Sequence, residues 1–329
     1  MSGSDAVADG GGDAAGDPPV VVKIGGAKAV DPAGAVGDVA DLTAEGREVV
    51  VVHGGSTVVD ETIERLGMEP EYVESASGVT GRFTDADAME AFTMAMAGKL
   101  NTELTALFRE AGVDAVGLSG VDGGLLSGPR KSAVRVLEDG KKKIKRGEHS
   151  GRIESVNADL LAGLLADGYT PVVSPPMEGR ESDGGVTPVN ADADRAAAAV
   201  AGALGADLVL LTDVAGVYAD PEDPDTLIDS AATPDDLAAL ESAAEGFMGK
   251  KVMAATEALS GGSARVVIAD ANADDPVLAA LGGLGTTIER SALDETDGGG
   301  GDADETTDDS DATNDAEDGD AEETEAVDA

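Results

Sequence analysis

The chain is expected to adopt an α/β fold in which helices cover an open, mainly parallel sheet. Three features of its 329 residues predict this. Short β-branched runs are nearly continuous in hydrophobicity, as strands buried on both faces require. They alternate with Ala- and Leu-rich segments of helical spacing, the pattern of parallel strands joined by crossover helices. Several of the strands close on glycine-rich turns.

In chain order, Val-Val-Val-Lys-Ile at 20–24 and Val-Val-Val-Val at 49–52 open the strand series, with a helix expected over 58–66. Helices over 84–96 and 101–110 lead to a strand at 115–118. A helix over 158–166 leads to a strand at 171–174, and a helix over 192–204 to a strand at 208–211. Helices over 234–244 and 250–260 precede a last strand at 265–268. Residues 121–156 break the alternation with Gly123-Gly124, Asp139-Gly140 and Gly147 as punctuation. Asp139-Gly140 between 134–137 and 141–145 predicts a hairpin, a β excursion from the main sheet.

Composition bounds the rest. Residues 1–17 are mostly Gly, Ala, Ser and Asp, and residues 291–329 carry 17 acidic side chains with no Lys or Arg. Neither segment has enough apolar surface to offset chain entropy, so disorder is expected in both, around a folded part at 18–290. The formal charge is −44; taking away −17 for the tail and −4 for the N-terminal segment leaves −23 on the folded part. Such a domain repels itself at low ionic strength, and salt confines that repulsion to about 10 Å or less. Adaptation to a salt-rich cell accounts for the excess. Acidity also argues against nucleic acid, which needs a basic footprint. The absence of cysteine excludes disulfides, thiolate zinc sites and cysteine catalysis. The start lacks the basic and apolar regions of a signal peptide, and no apolar stretch has the length of a membrane span, so a soluble cytoplasmic protein is expected.

Three strands end in glycine-rich turns: Lys23-Ile24-Gly25-Gly26, His53-Gly54-Gly55-Ser56 and Gly117-Leu118-Ser119-Gly120. At the carboxyl ends of parallel strands, glycine lets backbone N–H groups approach an anion, so a phosphate or carboxylate site is expected there. Neither a P-loop nor a Gly-x-Gly-x-x-Gly turn after a strand occurs, so the chain is neither a P-loop NTPase nor a typical dinucleotide enzyme. Lys23 lies inside an apolar strand, a costly place for a cation unless it meets an anion.

Six motifs now occur in a telling order: Lys23-Ile-Gly-Gly, His53-Gly-Gly-Ser, Arg82-Phe-Thr-Asp85, Asn190-Ala-Asp-Ala-Asp194, Leu211-Thr-Asp-Val-Ala-Gly216 and Met248-Gly-Lys-Lys251. Over about residues 19–288 the chain resembles the amino acid kinase family, nearest its N-acetylglutamate kinase branch. That resemblance implies an αβα sandwich of two lobes, with substrate on about 18–175 and ATP on 176–290, and a homodimer. It also implies ATP as co-substrate with Mg²⁺, and no resident metal site. Lys23 and Lys251 resemble the lysines that stabilise the transferring phosphoryl group, and Asp194 the aspartate that orients them. Arg82 and Asn190 match positions gripping the acceptor's α-carboxylate region, with Gly54, Gly55 and Ser56 as its cradle. Gly25, Gly26, Thr212, Asp213 and Gly216 match the nucleotide-binding positions. Ser56 in place of a third glycine and Phe247 in place of a glycine before Met248 depart from the pattern.

The chemistry is coherent. An ionised carboxylate is a nucleophile without a general base, so transfer depends on in-line positioning and on neutralising phosphate charge. Singly, the positions have plainer readings: Asp194 with Arg195 as an ordinary helix start, Lys250 and Lys251 as a solvated face, Arg82 as a partner of Asp85, and 213–225 as an acidic loop. His53 reads as a strand-end hydrogen bonder with no chemistry.

Residues 130–152 hold nine of the 22 cations: Arg130, Lys131, Arg135, Lys141, Lys142, Lys143, Lys145, Arg146 and Arg152. Only Glu138, Asp139 and Glu148 oppose them, for a local charge of +6 on a chain of −44. Charge of opposite sign to the whole molecule suits an anionic partner, although a solvated basic hairpin is the plainer reading. This stretch, with Gly128-Pro-Arg-Lys131 and Ser150-Gly-Arg-Ile-Glu154, resembles the branch whose members phosphorylate glutamate or α-aminoadipate tethered to a small acidic amino-group carrier protein of the LysW type. Carrier docking is therefore expected at Arg130, Lys131, Lys141, Lys142, Lys143, Lys145 and Arg146. A kinase of free N-acetylglutamate, and a non-catalytic amino-acid sensor on the same fold, are the alternatives.

Overall fold

A computed structural model describes residues 17–26, 31–75, 80–138 and 141–293. Residues 1–16, most of the acidic tail and the Asp139-Gly140 turn, on which disorder and a tight hairpin were expected, lie outside the described residues. The chain opens with β1 (Val20–Ile24), α1 (Ala33–Ala44), β2 (Val49–His53), α2 (Ser56–Arg65), β3 (Tyr72–Glu74), β4 (Thr80–Arg82) and α3 (Ala86–Thr93). A π-helical stretch, Met94–Leu100, joins α3 to α4 (Asn101–Glu110). Next come β5 (Ala115–Gly120), β6 (Leu126–Glu138), β7 (Lys141–Gly151), β8 (Ser155–Val156), α5 (Ala158–Ala166), β9 (Thr170–Arg180) and β10 (Val186–Val189). The chain continues through α6 (Ala193–Leu204), β11 (Asp207–Thr212), β12 (Ser230–Ala231), α7 (Pro234–Ala243), α8 (Gly246–Gly261), β13 (Arg265–Asp270), α9 (Pro276–Leu281) and β14 (Thr286–Glu289).

A 12-stranded mixed sheet runs through these elements in the order β12-β14-β13-β11-β1-β2-β9-β6-β7, with β5 and β10 also paired to β9 and β8 to β6. Its centre, β13-β11-β1-β2-β9, is parallel throughout. The apolar strands were readable because both their faces are covered. Val20, Val22 and Ile24 pack with α1, α4 and α9, whereas Val21, Val50 and Val52 pack with α5, α6 and α8. By the two-residue period of a strand, Lys23 shares the face of Val21 and is aimed at the α6–α8 layer.

The differences from expectation have local causes. Helix α1 was missed because Ala33–Ala44 has few large apolar residues and buries mainly Ala35, Val36, Val39 and Leu42. Asp38, 2% exposed, accepts from Val277 N–H at 2.6 Å and Leu278 N–H at 3.2 Å, so α1 caps α9. Ser291 and Ala292, assigned to the tail by composition, belong to the 3-10 turn Arg290–Leu293. There the Ser291 hydroxyl donates to Ala232 O at 2.8 Å and Ala292 is buried. Among the described residues no helix is long and apolar enough to cross a membrane.

Candidate active site

The carboxyl ends of β1, β2 and β11 share one edge of the sheet. There the turns after β1 and β2 abut: Gly54 N–H donates to Ile24 O at 2.9 Å, and a Cβ on Gly26 would strike the backbone nitrogen of Gly55. These glycines are required by close backbone approach. Gly55 leads into α2, which Ser56 begins; Thr212 ends β11 and Asp213 follows it at the same edge. Gly216 is tight against Thr286, whose Oγ1 accepts from Val217 N–H at 2.8 Å.

The lysines meet over this edge. Lys23 Nζ is 2.7 Å from Asp194 Oδ1, and Lys251 Nζ is 2.9 Å from Asp194 Oδ2. The acid is shared by a lysine from the central strand and one from α8. Two local features make this possible. Asp192 caps α6, accepting from the N–H groups of Asp194 (3.0 Å) and Arg195 (3.1 Å), so the Asp194 carboxylate has no capping duty. Alanine-rich α6 lets α8 approach closely: a Cβ on Gly202 would lie 3.0 Å from Gly261 Cα. Asp194 thus starts a helix, as the plainer reading had it, but its side chain serves the lysines. Lys251 is not on a solvated face; its side chain is 13% exposed. Helix α8 starts at Gly246, earlier than expected, placing Phe247 in its first turn with Lys250 stacked 5.2 Å from its ring centroid.

Electrostatics follow the geometry. Burial alone would push the Asp194 carboxyl up, but Lys23 and Lys251 together hold it down to about 2. Burial pushes the Lys23 ammonium down, opposed by Asp194 and assisted by Lys251. A pair of ammonium groups around one carboxylate has a surplus positive charge, which an incoming anion would balance. His53 is 1% exposed and held neutral, its pKa lowered to about 4 by burial, with the Lys23 charge adding to the effect. Its Nδ1–H donates to Gly54 O at 3.0 Å and its Nε2 faces Asn101 Nδ2 at 3.3 Å, a structural role.

The acceptor-side candidates form a second group. Arg82 does not pair with Asp85, which instead caps α3 through Ala88 N–H at 2.8 Å. Its Nη2 donates to Asp60 Oδ1 (2.8 Å), Ser56 O (2.9 Å) and the Tyr72 hydroxyl (3.2 Å), and its Nε donates to Asp60 Oδ1 (3.1 Å). Asp60 and Tyr72 escaped the sequence reading because an acid on a helix and a tyrosine on a short strand have no pattern of their own. Asn190 Nδ2 donates to Thr84 Oγ1 at 3.1 Å, linking Asn190 to the segment of Arg82.

Strands β6 and β7 form the basic hairpin, whose first strand joins the sheet edge through β9. Its cations differ in availability. Arg130 is turned inward, its Nη1 2.6 Å from Glu181 Oε1. Lys143 pairs with Glu138 at 2.7 Å, and Lys145 pairs with Glu71 while lying 4.1 Å from the Phe83 ring centroid. Sequence counting missed Glu71 and Glu181 because both come from outside the hairpin. Lys131, Lys141, Lys142 and Arg146 are exposed and make no ion pair with another described residue. In the strand register, Arg135, Lys142 and Arg146 share one face with Ile144, which is 64% exposed. Among the described residues no group of three His, Cys, Asp or Glu side chains could hold a metal ion.

The amino acid kinase family profile matches residues 18–270. A [LysW]-aminoadipate kinase of Deinococcus radiodurans is 43% identical over 270 residues, covering 82% of this chain and 91% of its own. An acetylglutamate kinase of Methanopyrus kandleri is 41% identical over 233 residues, covering 70% and 89%. Among solved structures, the N-acetylglutamate synthase of Neisseria gonorrhoeae complexed with coenzyme A and N-acetyl-glutamate aligns with a TM-score of 0.65 and 26% identity. That alignment takes in 83% of this chain but only 59% of the synthase.

Proposed function

The chain belongs to the amino acid kinase family, and from that premise we propose that it phosphorylates a side-chain carboxylate carried on a partner protein. The donor is MgATP. The acceptor is glutamate, α-aminoadipate or both, attached to a small acidic amino-group carrier protein of the kind named in the Deinococcus relative. The product is an acyl phosphate for arginine or lysine biosynthesis. We assign the acceptor to a lobe at about 18–175 and the nucleotide to a lobe at about 176–290, in a cytoplasmic homodimer of a salt-rich cell.

The single observation that carries this reading is the Asp194 carboxylate bridging Lys23 and Lys251. An acceptor carboxylate oxygen attacks the γ-phosphorus in line; the bond to the β,γ-bridging oxygen breaks, and its electron pair leaves with ADP. No proton moves, so no general base is required. The two ammonium groups lie where charge on the γ-phosphoryl oxygens would gather, and Asp194 holds them at a fixed spacing beforehand. Gly25, Gly26, Thr212, Asp213 and Gly216 line the donor's phosphates, and Mg²⁺ rides on those phosphates as part of the co-substrate. Arg82 and Asn190 hold the acceptor, with Gly54, Gly55 and Ser56 beneath it. Asp60 leaves Arg82 oriented before the acceptor arrives.

The hairpin supports a protein-borne acceptor over a free one. Its outward face combines Arg135, Lys142 and Arg146 with exposed Ile144, giving an acidic carrier both charge and an apolar contact that salt does not screen. A second reading, phosphorylation of free N-acetylglutamate, is favoured by the Methanopyrus relative. Incubation with MgATP in molar KCl, with hydroxylamine trapping of acyl phosphate, separates the two. Hydroxamate from loaded carrier and little from free N-acetylglutamate is the expected result; the reverse would replace the first reading by the second, and none from either would remove both.

A further inference from the structure

Glu148 lies at the inner end of the hairpin, 2% exposed, within the most cationic stretch of the chain. No step of the transfer described above uses it. Burying a carboxylate is costly unless its oxygens are satisfied. Its Oε2 accepts from Thr84 N–H at 3.4 Å; burial pushes its carboxyl up, opposed by the neighbouring Ser150 hydroxyl and the Thr84 N–H. Glu148→Gln keeps the shape but removes the charge, and weakens the acceptor that faces the Thr84 N–H.

The same stretch of β7 holds the acceptor-side residues. His149 N–H donates to Thr84 O at 2.7 Å, Asn190 N–H donates to His149 O at 2.9 Å, and Gly151 N–H donates to Asn190 O at 3.0 Å. The Asn190 side chain closes the ring on Thr84 Oγ1. Arg130 braces the stretch from its other side, through Glu148 O at 3.4 Å and His149 Nε2 at 3.0 Å. Thr84 lies two residues after Arg82, and Asn190 four residues before Asp194. One short run of backbone therefore sets the spacing between both acceptor-side candidates and the lysine pair.

We infer that residues 148–151 are a positioning device for the acceptor, with Glu148 as its positioning residue. Glu148 fixes Thr84, and through it the Arg82 segment and Asn190, at the spacing that presents the acceptor carboxylate in line. The inference rests on the proposed acceptor role of Arg82 and Asn190. It also makes the root of the hairpin continuous with the acceptor site, so a partner seated on the outer strands and the amino acid it carries engage one hydrogen-bonded unit.

The test is steady-state kinetics of Glu148→Gln, with KM measured separately for MgATP and for whichever acceptor, loaded carrier or free N-acetylglutamate, yields hydroxamate. The acceptor KM is expected to rise about tenfold, with the MgATP KM changed by less than about twofold. Ser150→Ala, which removes only a hydroxyl, should move the acceptor KM in the same direction by a smaller factor, and it serves if Glu148→Gln does not fold. Equal changes in both KM values, or a loss confined to the amount of folded enzyme, would overturn the inference. Arg82→Ala and Asn190→Ala are run beside them. If those two raise the acceptor KM while Glu148→Gln and Ser150→Ala do not, only the positioning role falls. If neither Arg82→Ala nor Asn190→Ala changes it, the acceptor assignment falls and the inference with it.

Discussion

Asp194 is the residue on which the lysine pair depends, because a carboxylate at 2.7 and 2.9 Å from two ammonium groups holds their spacing and opposes the burial that pushes Lys23 down. Asp194→Asn would leave the helix cap at Asp192 intact while removing that charge. It should lower kcat roughly 10²–10³-fold with the MgATP KM within about threefold, a split that separates positioning from binding. Its acid range follows from its pKa of about 2 against an ordinary 3.8. A depressed carboxyl stabilises the fold above pH 3.8, and that contribution is lost as pH falls through 2. His53 behaves differently. Its folded value of about 4 lies below the ordinary 6.5, so between those values the unfolded chain binds a proton that the folded chain refuses. Stability should therefore fall by up to about 3 kcal/mol as pH drops across that window, and His53→Gln should flatten the curve in a denaturant titration. At this scale the charged triad could be read from sequence, since Lys23, Asp194 and Lys251 each sit in a recognisable motif. The Asp60 and Tyr72 partners of Arg82 could not, because contacts between α2, β3 and β4 depend on a fold that no local spacing encodes.

Among the elements, the sheet centre was the most readable part, because strands covered on both faces are apolar throughout. Edge and short elements were not: β10 is Val-Thr-Pro-Val, half exposed, and β12 has two residues. The hairpin was read as two strands, but which of its cations are available was hidden until the register paired Val136 with Lys143 and Leu137 with Lys142. Val136 is buried, so that face turns toward the body and the opposite face outward. Reversing charge on the outward face with Lys142→Glu and Arg146→Glu should raise the KM for carrier-borne acceptor about tenfold or more and leave that for any free acceptor unchanged. Reversal at Lys145 should instead cost folding stability, since Lys145 pairs with Glu71 and covers Phe83. Equal effects of the two changes on carrier kinetics would argue against a face-specific dock.

For the whole molecule, charge is the dominant property. A formal −44, with 66 acidic against 22 basic side chains, makes self-repulsion a standing cost of the compact state. Raising KCl from about 0.1 M to about 2 M shortens the screening length from about 10 Å to under 3 Å and should raise the thermal midpoint by several degrees. A midpoint that is flat or falls with salt would oppose salt adaptation. The same screening would weaken the proposed carrier docking by charge alone, so that docking would also need the apolar contact of Ile144 on the basic face.

The most direct measurement is a structure of the enzyme with acceptor, MgADP and aluminium fluoride standing in for the phosphoryl group in flight. Both Lys23 Nζ and Lys251 Nζ should lie within about 3.2 Å of its fluorides. Either nitrogen more than roughly 6 Å away, beyond the reach of one bridging water, would contradict phosphoryl transfer by this lysine pair.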